Sequence, residues 1–170
     1  MPAYNEFAAL SRVLLGPSTS VLTQERISRD WRDLNFTAPP SPALAAEQTR
    51  AFAALMRTAG VQVDELPDAG GLTLDAIYAR DASVVTPRGV ILCRMGKPAR
   101  QHEPASHGEF YRAHGDDILG AIESPGTLEG GDVVWFDAHT VAVAHGYRTN
   151  DAGITQFTRL LGPGIAVTVV

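Results

Sequence analysis

At 170 residues, 45% hydrophobic and 19% charged, the chain has the make-up of a globular protein with one core and too little length for two comfortable domains, so a single domain over residues 1–170 is expected. Its formal charge of −5, with the basic residues scattered and Lys97 the only lysine, excludes a nucleic-acid-binding face. No apolar run approaches the ~20 residues of a membrane span, and residues 1–10 carry neither a basic nor a long apolar region, which reads as a cytoplasmic protein without a signal peptide or membrane partner.

In chain order, Arg12–Leu15 reads as the first strand. Residues 16–42 are polar and irregular, with Pro17, Ser18, Thr19, Ser20 and the pair Pro39-Pro40; they read as a long loop, either a disordered connection or a lid. Ser41 as N-cap and Pro42 at the first helical position then open a helix. Leu44, Gln48, Ala51, Phe52, Leu55 and Met56 recur along it at helical spacing until Gly60, which predicts the face turned to the core. An alternating strand follows over 61–66, then strands 82–86 and 90–94 joined by Pro87-Arg88-Gly89 as a hairpin. A helix is predicted over 102–119.

The pattern then returns. Residues 81–92 lie over 132–143 without a gap at an offset of 51, so acid, strand, turn, strand is used twice. A helix over 151–161 and a strand over 165–170 follow the second hairpin. Helix-to-strand segments begin near 41, 102 and 151, which predicts about three ββαβ units in which each buries its apolar face against its neighbours.

Chemistry-bearing residues cluster in four short motifs: Asp75-Ala76-Ile77-Tyr78-Ala79-Arg80-Asp81, Arg94-Met95-Gly96-Lys97-Pro98-Ala99-Arg100, Glu129-Gly130-Gly131-Asp132 and Gly146-Tyr147-Arg148-Thr149-Asn150. Each lies at a strand end or a glycine turn. Carboxylates and arginines gathered in this way suit a small zwitterion with a cationic tail, because carboxylates grip a guanidinium and arginines grip a carboxylate by paired, charge-assisted hydrogen bonds.

Taken in this order, the motifs resemble those of the pentein, or guanidino-group-modifying, superfamily, most of all the dimethylarginine dimethylaminohydrolases, with arginine deiminases and amidinotransferases as further relatives. The resemblance implies an α/β propeller of five pseudo-repeats, of which this chain holds about three. It also implies hydrolysis of arginine or a methylated arginine to citrulline, with no cofactor or metal. In such enzymes a cysteine thiolate attacks the guanidinium carbon, an amine leaves and water releases citrulline. Residue by residue, Asp81 would grip the guanidinium and Asp75 would lie at the substrate end of the pocket. Arg100 and Arg148 would bind the substrate carboxylate, and Glu129 would orient a catalytic histidine. Gly130, Gly131 and Gly146 would serve the turns between them.

Two features depart from the family pattern. Arg80 stands where the methylarginine hydrolases often carry an acid, a choice closer to the arginine deiminases. The family's catalytic histidine and late cysteine would fall beyond Val170, so the expectation is a chain truncated at its C-terminus that lacks both. Cys93, the only cysteine, reads as a small buried hydrophobe, and His145 as a satisfied core or rim residue. Two readings of function stay open: the substrate-binding part of a guanidine hydrolase, completed by a further segment, or a non-catalytic relative that binds arginine or forms a homo-oligomer.

Overall fold

The structure is a computed structural model describing Glu6, residues 8–68 and residues 70–170. It contains two compact units, one of residues 10–79 and one built on residues 80–170 that also takes in Glu6 and residues 8–9.

In the first unit, β1 (Arg12–Leu15) is followed by α1 (Ser18–Val21), α2 (Gln24–Asp30), α3 (Pro42–Thr58) and β2 (Gln62–Glu65), and β2 returns parallel to β1 with Arg12 opposite Gln62 and Leu15 opposite Glu65. Residues 16–42 thus depart from the expected structureless loop. Val21, Leu22, Ile27 and Leu34 are buried there, and the Thr23 side chain caps α2 by accepting the Arg26 N–H. Four apolar side chains dispersed among polar ones suffice to anchor short helices, and no run of them is long enough to show as a period.

Ser41 caps α3 as expected, accepting the Leu44 N–H at 3.4 Å. The predicted core face does not hold. Leu44, Phe52 and Leu55 are 51%, 46% and 66% exposed, and the buried position is Ala53. The side turned inward carries Ala45, Ala46 and Thr49, with Ser18 Oγ donating to Thr49 Oγ1 at 2.7 Å. Small side chains bring α3 close to α1, and close approach outweighs the larger apolar area on the opposite face.

The second unit repeats one topology. Strands β3 (Ser83–Thr86) and β4 (Gly89–Leu92) form an antiparallel hairpin, α4 (Glu103–Ala113) crosses over, and β5 (Ile118–Ala121) adds parallel to β4. Then β6 (Val133–Trp135) and β7 (Thr140–Val143) form a second hairpin, α5 (Asp151–Leu161) crosses over, and β8 (Ala166–Val169) adds parallel to β7. The hairpins belong to separate three-stranded sheets. The sequence repeat is therefore a ββαβ unit used twice, while the first unit supplies one strand, helices and one strand.

One predicted boundary moves. The helix expected to reach residue 119 ends at Ala113, where Gly115 adopts φ 78°, and residues 118–121 become β5. Gly120 at φ 157° interrupts the strand's apolar run, which hid it from a periodicity reading.

Both sheets share a core: Ile91, Met95 and Leu128 meet Trp135 and Val143, and α5 adds Ile154, Phe157 and Leu161 at i, i+3 and i+7. Asn150 seats α5. Its Oδ1 accepts the N–H groups of Gly153 at 2.8 Å and Thr127 at 3.1 Å, and its Nδ2 donates to the Pro125 carbonyl at 3.0 Å. Asn150→Ala removes the cap and the tether to residues 125–127 together, and is expected to cost about 1–2 kcal/mol. Urea denaturation of the two proteins measures it, and unchanged midpoints would mean that these bonds are exchanged for water at no cost.

Candidate functional site

Each hairpin of the second unit is led by an acid and trailed by an arginine: Asp81 before β3 and Arg100 after β4, then Asp132 before β6 and Arg148 after β7. The fold brings these segments together. Arg100 is 3% exposed. Its Nη1 donates to Asp81 Oδ2 at 2.8 Å, and its Nε and Nη2 make a fork on Glu103, with Nη2 2.8 Å from Oε2. This bidentate geometry holds a planar guanidinium rigidly. Glu103 is itself 2% exposed; the sequence reading missed it, although its place three residues after Arg100, in the first turn of α4, is a spacing at which side chains meet.

Glu129 is fully buried. Its Oε1 accepts the Gly96 N–H at 3.1 Å, and Arg148 Nη1 lies 2.9 Å from Oε2. That contact is an ion pair without hydrogen-bond alignment, and Oε2 has no aligned donor among the described residues. Burial pushes the Glu129 carboxyl above the usual carboxylate range, and Arg148 and the Gly96 N–H pull against this. Asp81 and Arg100 are close enough to act on Glu129 as well, the first raising it and the second lowering it.

The motif residues between the charges set this geometry. A Cβ on Gly130 would stand 2.3 Å from the Arg80 carbonyl, so this glycine permits a close backbone approach that no other residue allows, and a Cβ on Gly131 would stand 2.6 Å from Asp81 Oδ1 and push that carboxylate aside. Thr149, fully buried, accepts the Glu129 N–H at 3.2 Å and donates to Asp132 Oδ2 at 2.6 Å. The Arg-Thr-Asn run therefore locks residue 148 beside Glu129. Gly146 closes the turn, donating its N–H to the Thr149 carbonyl at 2.9 Å.

Asp81, Arg100, Glu129 and Arg148 thus form one cluster within the second unit. Asp75 belongs to the first unit, buried at 5% exposure in a single turn capped by Thr73. Arg80 donates to the Val133 carbonyl at 2.9 Å and pairs with Glu6 at 2.8 Å. Cys93 is 3% exposed, and burial, then the carboxylates of Asp81 and Glu129, push its thiol far above the ordinary range. His145 is half-exposed, 3.5 Å from Asp151. No group of three or more His, Cys, Asp or Glu among the described residues is arranged to hold a metal ion.

Behind Arg100, His107 is 2% exposed and shares a hydrogen bond of 3.2 Å between its Nδ1 and Ser83 Oγ. Burial, then the positive charge of Arg100, push its imidazole down to about 4. With the folded value below the unfolded one, the unfolded chain takes up the proton first. The stability from neutral His107 is therefore full above about pH 6.5 and lost as pH falls from there through about 4. The loss reaches about 2 kcal/mol by pH 4.5. Denaturation at pH 7 and 4.5 is expected to show it in the wild type and not in His107→Asn; equal losses in both would assign the drop to other groups.

The sequence profile of the arginine deiminase family matches residues 74–169, a span that covers the whole cluster. A dimethylarginine dimethylaminohydrolase of Streptomyces coelicolor is 32% identical over 120 residues, which are 71% of this chain and 45% of that protein. Its counterpart in Pseudomonas aeruginosa is 29% identical over 122 residues, 72% of this chain and 47% of its own length. The chain thus spans about half the length of these relatives. Among solved structures, a Pseudomonas aeruginosa dimethylarginine dimethylaminohydrolase variant complexed with citrulline superposes with a TM-score of 0.74 at 24% identity, covering 96% of this chain and 61% of that one. An amidinotransferase from Microseira wollei superposes with a TM-score of 0.77 at 19% identity, covering 99% and 62%. At such identities the superpositions speak for the fold.

Proposed function

Because the chain belongs to the arginine deiminase family of the pentein superfamily, we propose that it carries the substrate-binding part of a guanidine-group hydrolase acting on arginine or a methylated arginine. The observation that carries the reading is the convergence of two carboxylates, Asp81 and Glu129, with Arg148 and Arg100, from segments far apart in sequence. Asp81 Oδ1 would take the ligand's guanidinium while Oδ2 stays on Arg100. Glu129 would flank the same group and orient the histidine of the complete site. Arg148, half-exposed, would take the ligand's carboxylate. Resemblance gives Arg100 the carboxylate as well; its engagement by Glu103 and Asp81 supports instead a positioning role behind Asp81.

In the complete site a thiolate adds to the guanidinium carbon. The C–N bond to the amine then breaks as a general acid supplies its proton, and water cleaves the thiouronium to citrulline and regenerates the thiol. This chain's share is to bind, orient and exclude water. The reading takes residues 1–170 as one pentein-type domain comprising about three of five blades, completed by a further segment. A second reading is a non-catalytic arginine-binding relative; the buried Cys93 supplies no nucleophile under either. Calorimetry with arginine, asymmetric dimethylarginine, citrulline and glutamate tests the common premise. Guanidino ligands are expected to bind and glutamate not to; the reverse order, or no binding by any of them, would remove the guanidine site.

A further inference from the structure

Glu129 presents one hydrogen-bonded oxygen and one buried oxygen that lacks an aligned donor among the described residues. The cation against that second oxygen is Arg148, whose side chain is 48% exposed while that of Glu129 is 1% exposed. Residues 145–148 are all exposed, and the Tyr147 side chain is wholly in solvent. The backbone beneath is held: Thr149 is tied to Glu129 and Asp132, and a Cβ on Gly96 would stand 3.0 Å from the Arg148 Cα. The Arg148 guanidinium can therefore leave Glu129 by side-chain rotation alone, with its backbone in place.

We propose that Arg148 is a specificity-determining residue: it occupies the place of a ligand's guanidinium beside Glu129, and gives it up at low cost only to a ligand that also brings a carboxylate. The inference rests on the guanidine-site reading above. A guanidine without a carboxylate displaces Arg148 and leaves that cation with no new partner. A guanidino acid takes Glu129 with one end and re-pairs Arg148 with the other. One internal ion pair then becomes two, and the discrimination between the two ligand classes is built into the chain before any ligand arrives.

The test uses the whole chain, its Arg148→Met variant, which keeps the stem and removes the charge, and the probes arginine and agmatine, which differ by the carboxylate. The variant is expected to bind agmatine about fivefold more tightly than the wild type, the worth of a half-exposed ion pair, and arginine more weakly, so that the preference for arginine falls by about tenfold or more. Carbon-13 NMR of the Glu129 carboxyl, assigned by its loss in Glu129→Gln, gives a reading without ligand. Its titration midpoint is expected to rise in Arg148→Met, since Asp81, Arg100 and the Gly96 N–H still face it while the pairing charge is gone. An unmoved midpoint would show that the pair does not form in solution and would end the proposal. A raised midpoint with unchanged or weaker agmatine binding would also end it, because Arg148 would then not stand in the ligand's place. If the wild type binds neither probe, the guanidine site itself fails and the competition fails with it.

Discussion

Asp81→Asn is expected to weaken arginine binding by about tenfold to a hundredfold, the range that follows from about 1.5–3 kcal/mol for a desolvated, charge-assisted contact. The substitution keeps the shape of the side chain and removes its charge, and the surrounding frame gives reason to expect a folded variant. Arg100 retains its fork on Glu103, and Asp81 is 15% exposed, so water can reach what the carboxylate leaves. The melting temperature should fall by a few degrees at most, the shift that about 1 kcal/mol produces in a domain of this size. Calorimetry with arginine, beside a melt of each protein, separates the two effects. Equal affinities would take Asp81 out of the site, and a variant that binds weakly only because it is partly unfolded would show itself in the melt.

The same cluster shows what could be read before the fold was known. Asp81, Glu129 and Arg148 were legible because each sits in a short charged motif at a strand end or glycine turn, and the motifs stand in the order that the family has them. Helix α5 was legible as the element that follows the second hairpin, and in the structure Asn150 at its cap and Ile154, Phe157 and Leu161 on one face agree with that place. Two readings failed where local signals compete with packing. The apolar stripe of α3 faces solvent, because alanines on the other side permit a closer contact than leucines would. Strand β5 was hidden by Gly120 and by its dependence on β4, a partner distant in sequence. The fork of Glu103 on Arg100 was signalled only by a spacing of three residues, and the locking of Thr149 between Glu129 and Asp132 was beyond reach, since both depend on the direction of side chains within buried turns. Without them the four charged residues can be named, but not divided into those that face a ligand and those that hold the others.

That division bears on the largest expected effect. The 170-residue polypeptide is expected to release no citrulline from arginine or asymmetric dimethylarginine above background, however well it binds them. Attack on a guanidinium carbon requires a thiolate, and the chain's only sulfhydryl is Cys93. Its environment works against ionisation in every major respect: it is 3% exposed, and Asp81 and Glu129 add negative charge where a second one would form, with only the Gly130 N–H in opposition. The carboxylates that suit the site to a cationic ligand thus keep this thiol protonated. Cys93→Ser should accordingly leave ligand binding unchanged, and supplying the remaining part of a related hydrolase, fused or in trans, should bring turnover that survives the same substitution. A citrulline assay on the purified chain, on Cys93→Ser and on the complemented form distinguishes the outcomes. Turnover by the chain alone that disappears in Cys93→Ser would mean that the buried thiol ionises and reaches the ligand, and the assignment of this chain to binding without chemistry would have to be given up.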